Sequence, residues 1–512
     1  MKNLASRLVD SHYFWLSFAS LIVISPLILL GHPGYYGDDF NMIQGLSKWG
    51  LYGSISEWIG AYGWAYRPIG ISLMYIFYHS LNSNPFIFYL IYQLSYLAIG
   101  WFLYHYLFKL TSKKSLSLFV AIFFLFFPFN PTAFWQLASL HMIIVATLIL
   151  PLIDGIINKS ESNQYKFIFF YSFCWMLLLF SYEQIVGLIA VIILIIWIKG
   201  LNNGIFKALR KSLLNSLMLI TVTLVFLLSY FLQEQNAKIA NLNMIKTEQQ
   251  LSQNINSEIK VSNNVESKEF LISKGRIEST LDRLFKVSKY FASSFSYATL
   301  KIFDSGIKGL FLFIILIFFA SMTLMFEFNH GDKFFSISII AIGSLWFIVT
   351  IAPFFLYPQA NIPPYTLMLP SIGIGLAVYG FFSLLSSFFN LVMFKYIARL
   401  LLFFSALTFP LFQYGYYFGI NEELSYWENI ADRIQNHKND LLKGNTLILH
   451  NFPNKGNKHI FWLEKTYAHR HLRDSLDQSL PKFKVKSSKK SINISLHHNE
   501  GESGEIIQIN SN

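Results

Sequence analysis

The apolar run QIVGLIAVIILIIWI (184–198), the connection KGLNNGIFKALRKS (199–212) and the apolar run LLNSLMLITVTLVFLLSYFL (213–232) decide the fold. Neither run holds a charged residue, and each is sized to enter a hydrocarbon core of about 30 Å as a helix. The connection between them carries Lys199, Lys207, Arg210 and Lys211, the basic excess that marks a cytoplasmic loop. Working outward, runs of roughly 15 to 24 residues recur along the chain. The candidate spans are 14–30, 68–82, 85–108, 115–128, 138–158, 167–182, 184–198, 213–232, 305–327, 334–356, 366–389 and 399–418.

Composition points the same way. The 512 residues are 54% hydrophobic, 18% aromatic and 13% charged, and the mean hydropathy is +0.44. A soluble domain carries about 25% charged residues. The expected fold class is an all-α polytopic membrane protein of about 11–12 transmembrane helices, with interfacial helices in the first outer loop and a small C-terminal soluble region. The abundance of Phe, 52 in all, reads as coding bias. The net charge of +12 sits largely in short connections between spans, so the positive-inside rule accounts for it and nucleic acid is not an expected partner. The single cysteine, Cys174, lies inside a span and rules out an intrachain disulfide.

Lys2 and Arg7 before the first span, with no small-residue cleavage site after it, read as a retained anchor with its N-terminus in the cytoplasm. An N-terminal module (1–232) then contains a first outer loop (31–66) rich in Trp and Tyr, suited to helices lying in the interface. An outer segment (233–300) is expected to be flexible in its first half, with an amphipathic helix near 277–291. Further spans (301–418) lead to a tail (419–512) with one strand at Thr446–His450 and disorder beyond about Lys482. Twelve crossings cannot place every basic connection inside. One short segment, 115–128 or 184–198, is therefore expected not to span, leaving about eleven crossings with the central segment and the tail outside.

The polar residues of the outer face carry the functional reading. Asp38 and Asp39 stand side by side in GHPGYYGDDFN; such a pair serves as base, divalent-cation ligand or sugar anchor, or else is only interfacial charge. Arg67, after Tyr66 in AYRPIG, is either a snorkelling helix anchor or a fixed charge for a phosphate. Trp135, Gln136 and His141 follow in FNPTAFWQLASLH, where His141 is either a hydrogen-bonded helix residue or a phosphate or catalytic group. Glu183 in FSYEQ, between two apolar runs, needs a partner and so marks a site or an ion pair supporting one. Gln359, Asn361 and Tyr365 in YPQANIPPY shape a Pro-rich turn or touch ligand. The chain has no phosphate-binding Gly-x-x-x-x-Gly-Lys loop, no Cys/His cluster with zinc spacing, and no cytosolic nucleotide fold. Nucleotide-driven pumping and a cytosolic nucleotide-sugar site are therefore not expected, so an activated group used outside must arrive on a lipid.

The order of these motifs resembles the GT-C superfamily of polyprenyl-phosphate-sugar-dependent glycosyltransferases, which includes protein O-mannosyltransferases and aminoarabinose transferases. It covers an acidic pair in the first outer loop, Tyr-Arg-Pro at the second span, Pro with a downstream Trp, and Ser-Tyr-Glu-Gln at a later span, over roughly residues 1–200. The resemblance implies Asp38 as base with Asp39 beside it, where the family usually has Asp-Glu. It implies Arg67, with Tyr66 and His141, at the donor phosphate, and Glu183, Gln136, Trp135 and Tyr365 in support. The expectation is inverting transfer of a sugar from a polyprenyl phosphate to a hydroxyl of a surface glycan, lipid or protein, at the extracytoplasmic face of a bacterial inner or plasma membrane. No cofactor is required beyond, at most, a divalent cation at Asp38 and Asp39. A flippase or transporter of lipid-linked oligosaccharide, with Glu183 and Asp38 binding a coupling cation, is the rival reading. A polysaccharide polymerase or ligase is a nearer one, and an assembly factor without chemistry a third.

Overall fold

The computed structural model describes residues 11–31, 46, 50–61, 67–81, 84–128, 130, 140–161, 165–253, 295–304, 306–326, 333–356, 367–389 and 392–436, with four strands between 446 and 510. The chain is an all-α polytopic membrane protein followed by a small sheet. Seven helices among the described residues are long and apolar enough to cross a membrane, and four shorter apolar helices accompany them. All twelve apolar runs of the sequence are helical. The first half comprises α1 (His12–Leu30), α2 (Gly50–Ala61) in the first loop, α3 (Pro68–Ser80), α4 (Pro85–Thr111), α5 (Lys114–Leu125), α6 (Leu140–Glu161) and α7 (Tyr165–Leu179). A turn of 3-10 helix (Glu183–Ile185) precedes α8 (Leu188–Gly200) and α9 (Ile205–Gln253). Then come α10 (Ile307–Met322), α11 (Lys333–Leu356), α12 (Met368–Phe389) and α13 (Val392–Asn436).

Contacts between helices fix the direction of each pass. The Trp101 indole N–H donates to Ser20 Oγ at 3.2 Å and the Tyr104 ring stacks on His12 at 4.8 Å, so α4 runs antiparallel to α1. Lys109 Nζ reaches Asp154 Oδ2 at 2.7 Å, bringing the C-terminal parts of α4 and α6 together. Lys113 lies over the Phe335 ring at the start of α11. Arg399 Nε donates to Phe326 O at 2.6 Å, and the Phe326 ring meets Trp15 near the start of α1. One end of the bundle therefore collects Lys109, Lys113, Lys114, Lys199, Lys207, Arg210, Lys211, Lys333, Lys395 and Arg399. Among the described residues the helices other than α2 and α3 run alternately toward and away from this basic end, and seven helices are long and apolar enough to cross a membrane.

The run 68–82, expected to span, stays on one side as α3, and this corrects the sequence expectation; α5, in the run 115–128, is likewise not among the helices long enough to cross. The 13 residues of α3 reach about 20 Å, short of a core of about 30 Å. Ile69 N, at its start, donates to Phe180 O where α7 ends away from the basic end. Its other end leads through Asn84 to Pro85, the far end of α4, where Asn84 Oδ1 caps the helix by accepting from Ile87 N at 3.3 Å. Both ends of α3 thus lie on the far side.

Helix lengths grade the depth of the bundle. α5, α7 and α8 have 12, 15 and 13 residues, whereas α4 and α11 have 27 and 24. α5 and α7 begin at the basic end and α8 finishes there, so the other end of each lies about 20 Å from it. α5 survives this because Ser115–Leu125 are all buried, so its terminal carbonyls are met by protein rather than lipid. The Tyr96 hydroxyl donates to Phe124 O at 2.6 Å, and Asn130 Nδ2 donates to the same carbonyl at 2.9 Å. At the periphery, α9 and α10 expose Leu213, Leu217, Leu224, Leu228, Phe311 and Phe318, which marks them as lipid-facing. α11 and α12 pack closely: a Cβ on Gly343 would come within 2.5 Å of Ala377 N.

Three further expectations are corrected. The polar stretch after Leu232 continues α9 to Gln253 instead of forming a flexible start to the outer segment. Likewise α13 continues to Asn436, beyond the end expected near 418. The tail beyond Lys482 forms β2 (Phe483–Ser487), β3 (Ser491–Leu496) and β4 (Ile506–Asn510) rather than remaining disordered. With β1 (Thr446–His450), where the sequence placed a strand, they make a four-stranded sheet of order β2-β3-β1-β4. β1 pairs antiparallel with β3 and parallel with β4. The amphipathic helix expected at 277–291 lies outside the described residues.

Two outcomes test this architecture. In a Cys174→Ser background, Asn84→Cys is labelled by an impermeant thiol reagent from the same side as Gly31→Cys and from the opposite side to Ser112→Cys; labelling of Asn84→Cys with Ser112→Cys would mean that α3 crosses. Tyr96→Phe, which leaves the α5 carbonyls short of a donor, lowers unfolding stability by about 1–3 kcal/mol, read as the thermal midpoint in detergent.

Candidate functional site

Arg67 and Glu183 meet in the far half of the bundle. Arg67 occupies the N-cap position of α3, directly before Pro68, whose fixed φ suits the first helical residue. Glu183 opens the 3-10 turn between α7 and α8, where the chain leaves one helix and cannot yet begin the next. Arg67 Nε donates to Glu183 Oε2 at 2.6 Å and Nη2 donates to Oε1 at 2.5 Å. This is the two-point geometry that matches a guanidinium to a carboxylate. The side chains are 14% and 8% exposed, so the pair is largely withdrawn from solvent. The Arg67 guanidinium also stands over the Tyr182 ring, 4.7 Å from its centre, a cation–π contact. The backbone is tied alongside by the Ile69 N to Phe180 O bond.

The break that presents Glu183 is itself held. Gly187 ends it against α11 so closely that a Cβ there would come within 2.5 Å of Val349 Cβ and 2.7 Å of Val349 O. A residue larger than glycine would push the turn off α11 and take Glu183 with it.

Among the candidate residues from sequence, the structure brings Arg67 and Glu183 together. It gives Arg67 a partner that the sequence did not reveal: its guanidinium is matched at two points by the Glu183 carboxylate. His141 is the second residue of α6, and its side chain lies outside the described residues. Asp38, Asp39, Tyr66, Trp135, Gln136, Gln359, Asn361 and Tyr365 also lie outside them. The same holds for the proposed cation ligands, Asp38 and Asp39; among the described residues no three His, Cys, Asp or Glu side chains gather into a metal-binding group. Sequence reasoning quoted Ser-Tyr-Glu-Gln but missed the part played by Tyr182, whose place next to Glu183 was the available signal. It also missed Gly187, which nothing in the sequence distinguishes from a helix glycine.

Chain connectivity still restricts the remaining candidates. Asp38 follows the far end of α1 by seven residues, within about 25 Å of Gly31 when fully extended. Tyr66 adjoins Arg67, and Trp135 and Gln136 lie between the end of α5 and the start of α6. In comparisons with known proteins, the sequence matches no family model and no curated protein.

Removing one partner of the buried pair strands the other. Glu183→Gln is expected to lower unfolding stability by about 3–5 kcal/mol, measured as a drop in thermal midpoint. The double variant Arg67→Met/Glu183→Met should lose clearly less than the sum of its single variants, because neither charge is left alone.

Proposed function

We propose that the protein is an integral membrane glycosyltransferase that moves a sugar from a polyprenyl-phosphate donor to a hydroxyl of an extracytoplasmic acceptor. The observation that carries the reading is the buried Arg67–Glu183 pair, which joins the end of the first loop to the α7–α8 break in the half of the bundle away from the basic residues. By the positive-inside rule the basic end is cytoplasmic and the far end faces outward. A donor held in the outer leaflet would then present its phosphate laterally, at the depth where the short helices stop.

In this mechanism Asp38 accepts the proton of the acceptor hydroxyl as its oxygen bonds to the anomeric carbon. The bond from that carbon to the phosphate oxygen breaks, its electron pair leaves with the polyprenyl phosphate, and the anomeric centre inverts. A phosphate is a weak base, so the leaving group needs donors and positive charge rather than a proton. Arg67, oriented by Glu183 and Tyr182, and His141 are the groups assigned to it. The acceptor is a surface glycan, a lipid or a protein, and the membrane is a bacterial inner or plasma membrane.

The pairing weakens the chief rival. A coupling-cation site in a transporter needs a carboxylate able to take the cation, whereas both oxygens of Glu183 already accept from Arg67. Mass spectrometry of surface glycans from cells with and without the gene should reveal one missing sugar. Asp38→Asn should reproduce that loss, by at least a hundredfold, at unchanged protein level. Full glycan modification by Asp38→Asn would refute the proposed base.

A further inference from the structure

The lipid-facing side of α9 begins with three cations that the proposed mechanism does not use. Lys207, Arg210 and Lys211 are all exposed, and spacings of three and four residues put them on one face of the helix. That face is not the one packed into the bundle. Ala208, Ser212, Ser216 and Thr223 are buried on the other side, where Thr223 Oγ1 accepts from the Trp175 indole N–H of α7 at 3.0 Å. Further along the face that carries the cations, Leu214, Leu217, Val225 and Leu228 are exposed. One surface of α9 therefore presents positive charge at the basic end and bare aliphatic side chains from there into the core.

The helix itself gains nothing from these charges. Cations in its first two turns oppose the helix dipole, and Lys207 and Lys211, four residues apart, repel each other. Lys199 differs, because it stands in the last turn of α8, where the dipole favours a cation. Nor does the protein neutralise the three. Among the described residues none of Lys207, Arg210 and Lys211 pairs with a carboxylate, and the segment 184–232 contains no Asp or Glu. The positive-inside rule accounts for the end of α9 that they occupy, but not for their facing lipid.

We propose that this face of α9 binds an anionic phospholipid of the leaflet at the basic end. The lipid phosphate sits among Lys207, Arg210 and Lys211, and the acyl chains lie along Leu214, Leu217 and Val225. The chemistry selects the occupant. A phosphate diester accepts hydrogen bonds and matches three side chains that only donate, and the Arg210 fork takes two of its oxygens. Lipid covers the aliphatic stripe in any case, so the molecule already lying there supplies the anion. The flanks suit headgroup depth: Ile205 and Phe206 are exposed, and the Trp197 indole N–H donates to Ile205 O at 3.3 Å, setting an interfacial aromatic ring beside the start of the helix. Residues 201–204 alone separate α8 from α9, so the charges are held on a helix at the membrane surface rather than on a long loop. This inference does not depend on the glycosyltransferase reading.

The full-length purified protein, in detergent, is titrated with phosphatidylglycerol or with phosphatidylcholine of the same acyl chains, and binding is read by native mass spectrometry. Wild type should bind phosphatidylglycerol at least tenfold more tightly. Each cation beside anionic lipid is worth about fivefold in affinity, so Lys207→Gln/Arg210→Gln/Lys211→Gln should lose about a hundredfold for phosphatidylglycerol. Its affinity for phosphatidylcholine and its thermal midpoint in phosphatidylcholine vesicles should stay those of wild type. A triple variant of equal charge at the same end, Lys113→Gln/Lys333→Gln/Lys395→Gln, should keep the phosphatidylglycerol preference. Should the first triple variant fail to fold, Arg210→Gln alone carries the test, with an expected loss of about fivefold. Equal affinity of wild type for the two lipids overturns the proposal without any variant. So does an equal loss in both triple variants, which would assign the preference to total charge. Displacement of phosphatidylglycerol by inorganic phosphate would identify a site for a soluble anion and overturn the lipid as occupant.

Discussion

A guanidinium and a carboxylate that lie 116 residues apart in sequence hold the far half of this protein together. Neither charge could remain alone at that depth, since each is withdrawn from solvent and flanked by helices that face lipid. Paired at two points, they pin the start of α3 to the break between α7 and α8. Once the break is pinned, α7 and α8 cannot merge into one long helix or slide outward. The close contact of Gly187 with Val349 then transmits the position of the α11–α12 pair to the same turn. The electrostatic requirement at one point therefore sets the depth at which two helices stop.

Helices that stop short in a membrane create a second requirement. Their last carbonyls must find donors within the protein, because lipid offers none. This accounts for the division of labour among the passes. Short α5 is enclosed on every side, while long α9, able to satisfy its own backbone across the whole core, carries the exposed Leu residues. Its 49 residues continue past the apolar part, so the helix leaves the core without a terminus inside it.

The positions of the helices were legible in the sequence because a crossing needs a long apolar run and this chain has few other reasons to contain one. Depth and partnership were not. The run 68–82 was read as a span, yet α3, with 13 residues, stays on one side, because an apolar composition records the solvent a segment prefers and not how far it travels. Glu183 and Arg67 could each be recognised as costly, but their pairing depends on a fold that brings distant segments together. The errors at Leu232 and Lys482 have a common source. Polar, Lys- and Ser-rich composition was taken as absence of structure, although SINISL alternates with the period of a strand. The glycines of α11 and α12 carried no readable signal, since close approach is a property of two helices and not of either one. Of the candidate site, the residue types were visible in the sequence, but their grouping, so far as the described residues go, depended on tertiary contact.

The end of α5 shows how a short helix is closed inside the protein. The Asn130 amide nitrogen faces inward, donating to the Phe124 carbonyl and to the Tyr96 hydroxyl, and both bonds close the helix. Its oxygen takes no part in that closure. A residue with acceptors alone would leave the Phe124 carbonyl dependent on Tyr96. An amide supplies two N–H donors on one nitrogen, so a single side chain can reach the last turn of α5 and the Tyr96 hydroxyl of α4 at once and tie the short helix to the long one.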